Sequence, residues 1–228
     1  AMDPQQRVAV EVAWEALENA GVKAEELTDS RTGVYMGVGQ IDYADLELKA
    51  PDPTGINAYT GTGLLFSAVS GRISYLLGLQ GPSVTVDGAC ASSLMTIHLA
   101  CQALREGECD LALAGGVHLV LTPNMTVYLS RSKALAPDGV CKTFDESANG
   151  YARGEGCGII VIKRLSDALA AGDNILSLIR GSALNHGGQA QGFTVPNGVA
   201  QQKLIREALK VSGVAPDQIT YVEAHGTG

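Results

Sequence analysis

Cys90 stands where a β-branched run meets a helical pattern. Ser83-Val84-Thr85-Val86-Asp87 reads as a strand, Gly88-Ala89-Cys90-Ala91-Ser92-Ser93 follows without a break, and helical spacing continues to about Arg105. A cysteine among apolar residues is by default a small packing residue. Here the small neighbours Gly88 and Ala89 permit a sharp bend. The bend puts the sulfur at the N-terminus of a helix, where the first backbone N–H groups lack helical partners. Such amides favour a thiolate over a thiol by up to ~2 kcal/mol in a partly buried geometry, so the sulfur needs no adjacent base to become nucleophilic. The same N–H groups suit the oxyanion of a tetrahedral intermediate. His225 is the second candidate. It follows the apolar run ITYVEA and opens His-Gly-Thr-Gly, and α/β proteins place working side chains at the carboxyl ends of strands.

The other cysteines and histidines lack such surroundings. Cys101 lies three helical turns beyond Cys90, about 16 Å along the axis, so the two cannot bridge. Cys101, Cys109, Cys141 and Cys157 are read as packing residues, and His98 as a core histidine of the helix. His118 and His186 fall at strand ends or in loops, with no partner to name from the sequence. Five cysteines with no C-x-x-C spacing disfavour a zinc site or a disulfide framework and suit a reducing, cytosolic setting. In such a compartment the Asn124-Met125-Thr126 sequon is a chance match.

The elements that must position Cys90 and His225 alternate in type. Residues 5–20 predict an amphipathic helix with Val8, Val12, Leu17 and Ala20 on one face, Pro4 in its first turn and Gly21 at its stop. Residues 32–38 predict a strand, 40–62 a long loop with one helical turn, and 63–77 a helix ended by Gly78. The helix after Cys90 is apolar nearly all round, as for a buried helix. The runs 110–117 and 157–162 suit strands covered on both faces. A helix over 165–171, a strand over 175–181, a helix over 200–212 and a strand over 219–224 complete the series. Such alternation predicts an α/β layered fold with a largely buried sheet.

Composition narrows the function further. The 228 residues carry 16 Lys and Arg against 24 Asp and Glu, a net charge of −8, which argues against a nucleic-acid surface. No run of 18 apolar residues occurs, as a membrane span would need, and Asp3, Arg7, Glu11 and Glu15 break up any apolar leader in this stretch. Gly37-Val38-Gly39 follows a strand, but Asp42 leaves the dinucleotide fingerprint incomplete, and Gly154-Glu155-Gly156 precedes a strand rather than a helix.

Several blocks taken together point to a family. MDPQQR (2–7), TGVYMGVG (32–39), SGRISYLLGLQGPSVTVDGACASSL (70–94), GECDLALAGGV (107–117), LAPDGVCKTFDESANGYARGEG (135–156) and VEAHGTG (222–228) are similar, in order and spacing, to the β-ketoacyl synthase (ketosynthase) domain of modular type I polyketide synthases. Animal-type fatty acid synthases carry related blocks. The resemblance implies a thiolase-like fold, two related α/β halves in α-β-α-β-α layers, normally a homodimer. It implies that Cys90 accepts an acyl chain from a phosphopantetheine arm. A malonyl-type extender on acyl carrier protein is then decarboxylated, and its enolate attacks the acyl thioester. His225 matches one of two histidines that stabilise the enolate oxygen, and Thr227 matches a residue that hydrogen-bonds the pantetheine arm. No metal or directly bound cofactor is implied. The partners would be acyl carrier protein and neighbouring megasynthase domains, in the cytoplasm, with no nucleic acid or membrane.

The sequence also departs from the family pattern. Gly88 stands where Thr, Ser or Ala is usual, and Ala91 where Ser is frequent; both keep the bend small. Lineages without condensation activity replace the cysteine with Gln, whereas this chain keeps Cys90. Judged by the family, residues 1–228 form a partial domain truncated at both ends, with most of the N-terminal half to about residue 164 and the start of the C-terminal half over 165–228. The second histidine and its nearby lysine would lie beyond Gly228, so the piece alone is expected to be inactive in condensation. Two other classes compete: a non-catalytic thiolase-like scaffold, which has no use for a thiol at the bend, and an acyl-thioester hydrolase using Cys90 with His225 as base.

Overall fold

The computed structural model describes residues 2–40, 42–48 and 53–228, so Ile41 and residues 49–52 of the expected 40–62 loop lie outside the described residues. Two compact units are present: residues up to 174 together with His225–Gly228, and Ile175–Ala224.

The first unit begins with α1 (Pro4–Asn19). Asp3 caps it by accepting the Gln5 N–H at 2.8 Å, and Pro4, which has no N–H to lose, occupies its first turn. The buried stripe is Gln5, Ala9, Ala13 and Leu17; of the expected face Leu17 is fully buried, and Val8 and Val12 pack partly buried against the core. Small side chains at every fourth position let the helix lie close to what it covers. The two buried glutamines are fully engaged. Gln5 Nε2 donates to Asp3 Oδ2 and to the Gln40 carbonyl, while Gln6 Nε2 donates to the carbonyls of Thr62 and Gly63 and Gln6 Oε1 accepts from Arg72 Nε at 2.8 Å. Buried amides left unpaired would cost about 1–3 kcal/mol each. The MDPQQR block therefore reads as a cap and two clamps.

Among the described residues, four strands form one sheet: β1 (Thr32–Gly37), β2 (Ser83–Val86), β3 (Leu111–His118) and β4 (Gly156–Lys163), in spatial order β2-β1-β3-β4. β1 runs parallel to β2 and β3, and β4 is antiparallel to β3. Residues between β1 and β2 form α2 (Asp42–Leu48), α3 (Thr60–Leu64) and α4 (Ser67–Leu77). The expected single helix over 63–77 thus divides at Leu65, whose backbone is extended. α4 ends at Gly78 with φ +66°, the left-handed conformation that glycine adopts without steric cost.

The pleat sorts side chains to two faces. Val34, Met36, Leu113, Val117 and Ile159 pack with Ala9, Ala13 and Leu17 of α1 and with Val69 and Ile73 of α4. Tyr35, Ala112 and Ala114 face the other way, onto Ala100, Ala103 and Leu104 of α5 (Ser92–Glu106). The result is a helix–sheet–helix sandwich. β3 is buried along nearly its whole length, as expected, whereas β4 is an edge strand with Ile160 42% exposed. α5 also departs from expectation: Ser92, Thr96, Ala100, Ala103 and Leu104 are buried, but Leu94 is 68% exposed. α6 (Asn124–Arg131) and α7 (Leu165–Ala171) complete the unit.

The second unit contains α8 (Gly198–Ser212), capped by Asn197 Oδ1, which accepts from the N–H groups of Val199 and Ala200, and ended by Gly213 at φ +65°. The strands expected over 175–181 and 219–224 are not formed: neither run has a ladder partner among the described residues. Apolar, β-branched sequence supplies a tendency to extend, but a strand is defined by its hydrogen-bonded neighbour. Among the described residues, no helix is long and apolar enough to cross a membrane.

A charged junction ties α5, β3 and α7 together. Asp110 accepts from Arg31 at 3.0 and 3.1 Å and from Arg164 at 2.5 Å. Arg164 also donates to the Leu104 and Cys109 carbonyls at 2.9 and 2.8 Å and to Asp167. Hydrogen bonds from Arg31 and Arg164 hold the Asp110 carboxyl down to about 2. A carboxyl depressed in the folded state stabilises the fold above its unfolded value of ~4, and that contribution is lost as pH falls from ~4 toward ~2. Asp110→Asn should therefore flatten the acid limb of the stability profile; urea melts between about pH 5 and 2.5 in which the variant is as steep as the parent would contradict this assignment.

Candidate functional site

The bend after β2 is built from local hydrogen bonds. Asp87 Oδ1 accepts the Ala89 N–H at 2.9 Å, Ser92 Oγ accepts the Gly88 N–H at 2.9 Å, and the Ser92 hydroxyl lies 2.7 Å from the Ala89 carbonyl, to which it donates. Ala89–Ala91 form a single 3-10 turn that runs directly into α5. Ala89 has φ +52°, a left-handed conformation that costs a residue with a Cβ about 1–2 kcal/mol. Three short hydrogen bonds around it, each worth about 1 kcal/mol, offset that cost. Cys90 therefore sits at the strand-to-helix bend, as its sequence context predicts, with its side chain exposed. No side chain caps the N-terminus of α5.

The start of α5 is placed by glycines at the strand ends. A Cβ on Gly37 would lie 2.8 Å from the Ser92 carbonyl carbon and Cβ and 2.9 Å from Ser93 N, and one on Gly116 would lie 3.1 Å from Ser93 Cβ. Gly37 and Gly116 are register partners across β1 and β3. Together they open the space in which the first turn of α5 lies directly on the sheet. The buried Thr96 hydroxyl, 3.0 Å from the Gly115 carbonyl, fastens the next turn.

The segment His225–Gly228 belongs to the same compact unit as Cys90. His225 and Thr227 are exposed there. The Gly226 carbonyl accepts from the Thr143 hydroxyl and lies 3.4 Å from Cys141 Sγ. A Cβ on Gly228 would lie 2.7 Å from the Gly150 carbonyl and 2.9 Å from Lys142 N, so only glycine permits this approach. Cys141 is thus not a packing residue: it is exposed, and its thiol is held below the usual range by the Thr143 hydroxyl and the Gly228 backbone. Cys101 and Cys109 are buried and Cys157 half-buried, as packing residues should be, and burial pushes the Cys157 thiol up to about 11.

The loop that holds this tail is closed at its base. Tyr151 closes on the strand-like residue Leu135, with Ala136 N–H donating to the Tyr151 carbonyl and Tyr151 N–H to the Ala134 carbonyl, each at 3.0 Å. Burial pushes the Tyr151 phenol up, and the Cys90 sulfur adds to the effect. Below it, Arg153 donates to Thr126 Oγ1 at 2.7 Å and lies 3.4 Å from His118 Nε2. Burial, then the Arg153 charge, push the His118 imidazole down. Cys141 and Thr143, which contact the Gly226 carbonyl, are therefore residues missed from sequence. Their block, 135–156, was conspicuous, but nothing local assigned them a partner.

This fold and site define a thiolase-like architecture with a cysteine at the strand-to-helix bend. The chain matches the profile of the β-ketoacyl synthase N-terminal domain over residues 1–168 and that of the β-ketoacyl synthase C-terminal domain over 176–228. It belongs to the β-ketoacyl synthase family. It is 52% identical over 228 residues to a phenolphthiocerol/phthiocerol polyketide synthase of Mycobacterium bovis, covering 100% of this chain and 12% of that protein. It is 50% identical over 226 residues to 6-methylsalicylic acid synthase of Penicillium terrestre, covering 99% and 13%. Among solved structures it superimposes on the oxazolomycin ketosynthase domain of Streptomyces albus JA3453 with a TM-score of 0.91 at 41% identity, covering 100% of this chain and 39% of that one. The module 6 ketosynthase of the bacillaene synthase of Bacillus subtilis 168 gives the same TM-score and identity, with 99% and 38% covered. The chain thus spans about an eighth of the length of these curated relatives.

Gly37→Ala should push the first turn of α5 off the sheet, because the obstructing atoms are backbone. A loss of about 1–3 kcal/mol is expected in chemical denaturation, whereas Gly156→Ala, whose Cβ would meet nothing within 4 Å, should stay within about 0.5 kcal/mol of the parent. Equal stability of the two variants would refute the assigned role of Gly37.

Proposed function

We propose that this chain carries the acyl-accepting part of a condensing enzyme that joins an acyl-cysteine thioester to a malonyl-type extender on acyl carrier protein, in polyketide or fatty acid biosynthesis. The observation that carries the reading is the exposed Cys90 thiol on a hydrogen-bonded, left-handed turn at the head of α5. The Cys90 thiolate attacks the thioester carbon of the incoming acyl group, the C–S bond to the pantetheine arm breaks, and the pantetheine sulfur leaves as a thiolate that takes its proton from solvent. Decarboxylation of the extender releases CO2 and leaves an enolate. Its carbon attacks the acyl-Cys90 carbonyl, a C–C bond forms, the C–S bond breaks, and Cys90 departs as thiolate. Splitting the reaction at a covalent thioester replaces one difficult step with two easier ones.

His225 would donate a hydrogen bond to the oxygen on which the enolate charge develops, where a fixed donor matters most. Thr227 would hydrogen-bond the pantetheine arm. The docking of Gly226 and Gly228 onto Thr143, Lys142 and Gly150 supports these roles, because it fixes the backbone on both sides of Thr227. In this reading residues 1–164 and 165–228 come from the N- and C-terminal halves of one ketosynthase domain. Acyl carrier protein and neighbouring megasynthase domains are its partners, a homodimer is its assembly, and the cytoplasm is its compartment.

The test uses a full-length condensing enzyme carrying this segment. Cys90→Ala should abolish covalent loading from an acyl thioester. His225→Ala should keep loading but lose about 10²–10³ in condensation rate. Undiminished loading of Cys90→Ala would overturn the reading. A product mass showing hydrolysis without C–C bond formation would replace condensation with thioester cleavage.

A further inference from the structure

Gly88, the residue that departs from the family pattern beside the bend, has a specific neighbour. A Cβ built on Gly88 would overlap Met95 Sδ and lie 3.3 Å from Met95 Cε and 3.8 Å from Cγ. The thioether thus lies against the Gly88 backbone, in the space a side chain at 88 would take. Met95 is half-buried and sits on the first turns of α5, one residue before Thr96, which is fastened to the Gly115 carbonyl. Gly88 is itself fixed by its N–H bond to Ser92 Oγ and leads directly into Ala89 at φ +52°.

We propose that Met95 is a positioning residue for Cys90. Its thioether wedges against Gly88 and sets the backbone path through Ala89 to the sulfur, so that glycine at 88 and methionine at 95 form a matched pair. The inference rests on the reading of Cys90 as the acyl acceptor, but it concerns how the turn is held and can be measured apart from turnover. Methionine suits the role because its unbranched, polarizable side chain fills irregular space. Gly88 is at φ −128°, a conformation open to any residue. A side chain at 88 would therefore meet the Met95 thioether rather than backbone strain, and Met95 would have to leave its seat to admit it.

A double-mutant cycle tests the pairing in a full-length condensing enzyme carrying this segment, by alkylating Cys90 with iodoacetamide and following the modified peptide by mass. Gly88→Ala should slow Cys90 alkylation about tenfold, because displacing a reacting atom by even a fraction of an ångström is costly. Met95→Ala should slow alkylation about threefold, since the turn loses its wedge, and a rate equal to the parent's would remove the positioning role; Gly88→Ala combined with Met95→Ala should return to about the Met95→Ala rate, as contacting residues are non-additive. Thermal melts run in parallel separate a displaced turn from a lost fold. Unchanged alkylation in Gly88→Ala, or additive losses in the double variant, would overturn the pairing. Should Cys90→Ala still accept acyl groups, the acyl-acceptor reading fails while the alkylation cycle still decides the pairing.

Discussion

The first turn of α5 lies directly on the sheet because two adjacent strand ends carry no side chains. Gly37 and Gly116 face Ser92 and Ser93 at distances where a Cβ would strike backbone or Cβ atoms. The rest of the helix follows the same rule in milder form, since Ala100 and Ala103 meet Ala112 and Ala114 across the interface. Small side chains on both partners bring a helix axis close and hold it firmly, and interiors packed this tightly shift little. The position of Cys90 is therefore fixed by main-chain contact one turn away, although the thiol itself is exposed.

The bend adds a second constraint on the same atoms. Ala89 is held in an unfavourable conformation by Asp87 and Ser92, both near neighbours in sequence. Strain of this kind persists only where surrounding bonds over-determine the backbone, and it gathers where function requires one geometry. The 135–151 segment holds the His-Gly-Thr-Gly tail through Thr143 and Gly150. The proposed enolate and pantetheine contacts thus share one supporting loop.

The sequence was most legible where the signal was local. Strand, small residues and helix follow one another in order around Cys90, so the bend could be read without knowing any distant contact. The same holds for β1, α7 and α8, whose ends carry glycine or a capping residue, and for β3, a nearly continuous apolar run. Long-range features were not legible. Cys141 and Thr143 gain their roles from Gly226, more than eighty positions away, and nothing in VCKTF announces that partner. Gln5 and Gln6 were assigned no partners from sequence, and they are buried with their amides donating to carbonyls of distant loops. The runs 175–181 and 219–224 had strand composition without a neighbour to pair with. The apolar circumference of α5 likewise overstated its burial, since composition records what a face can bury and not what covers it.

One topological detail bears on how such a site can diversify. β3 ends at His118 and its antiparallel neighbour β4 begins at Gly156, and these two residues are paired. The excursion between them leaves and rejoins the sheet at one point, on the rim where β1 and β2 also end. Outside the 135–151 segment that holds the tail, its length can change without shifting any strand's register, because both of its anchors are already locked. Variation in this rim segment is thereby uncoupled from the register of the sheet.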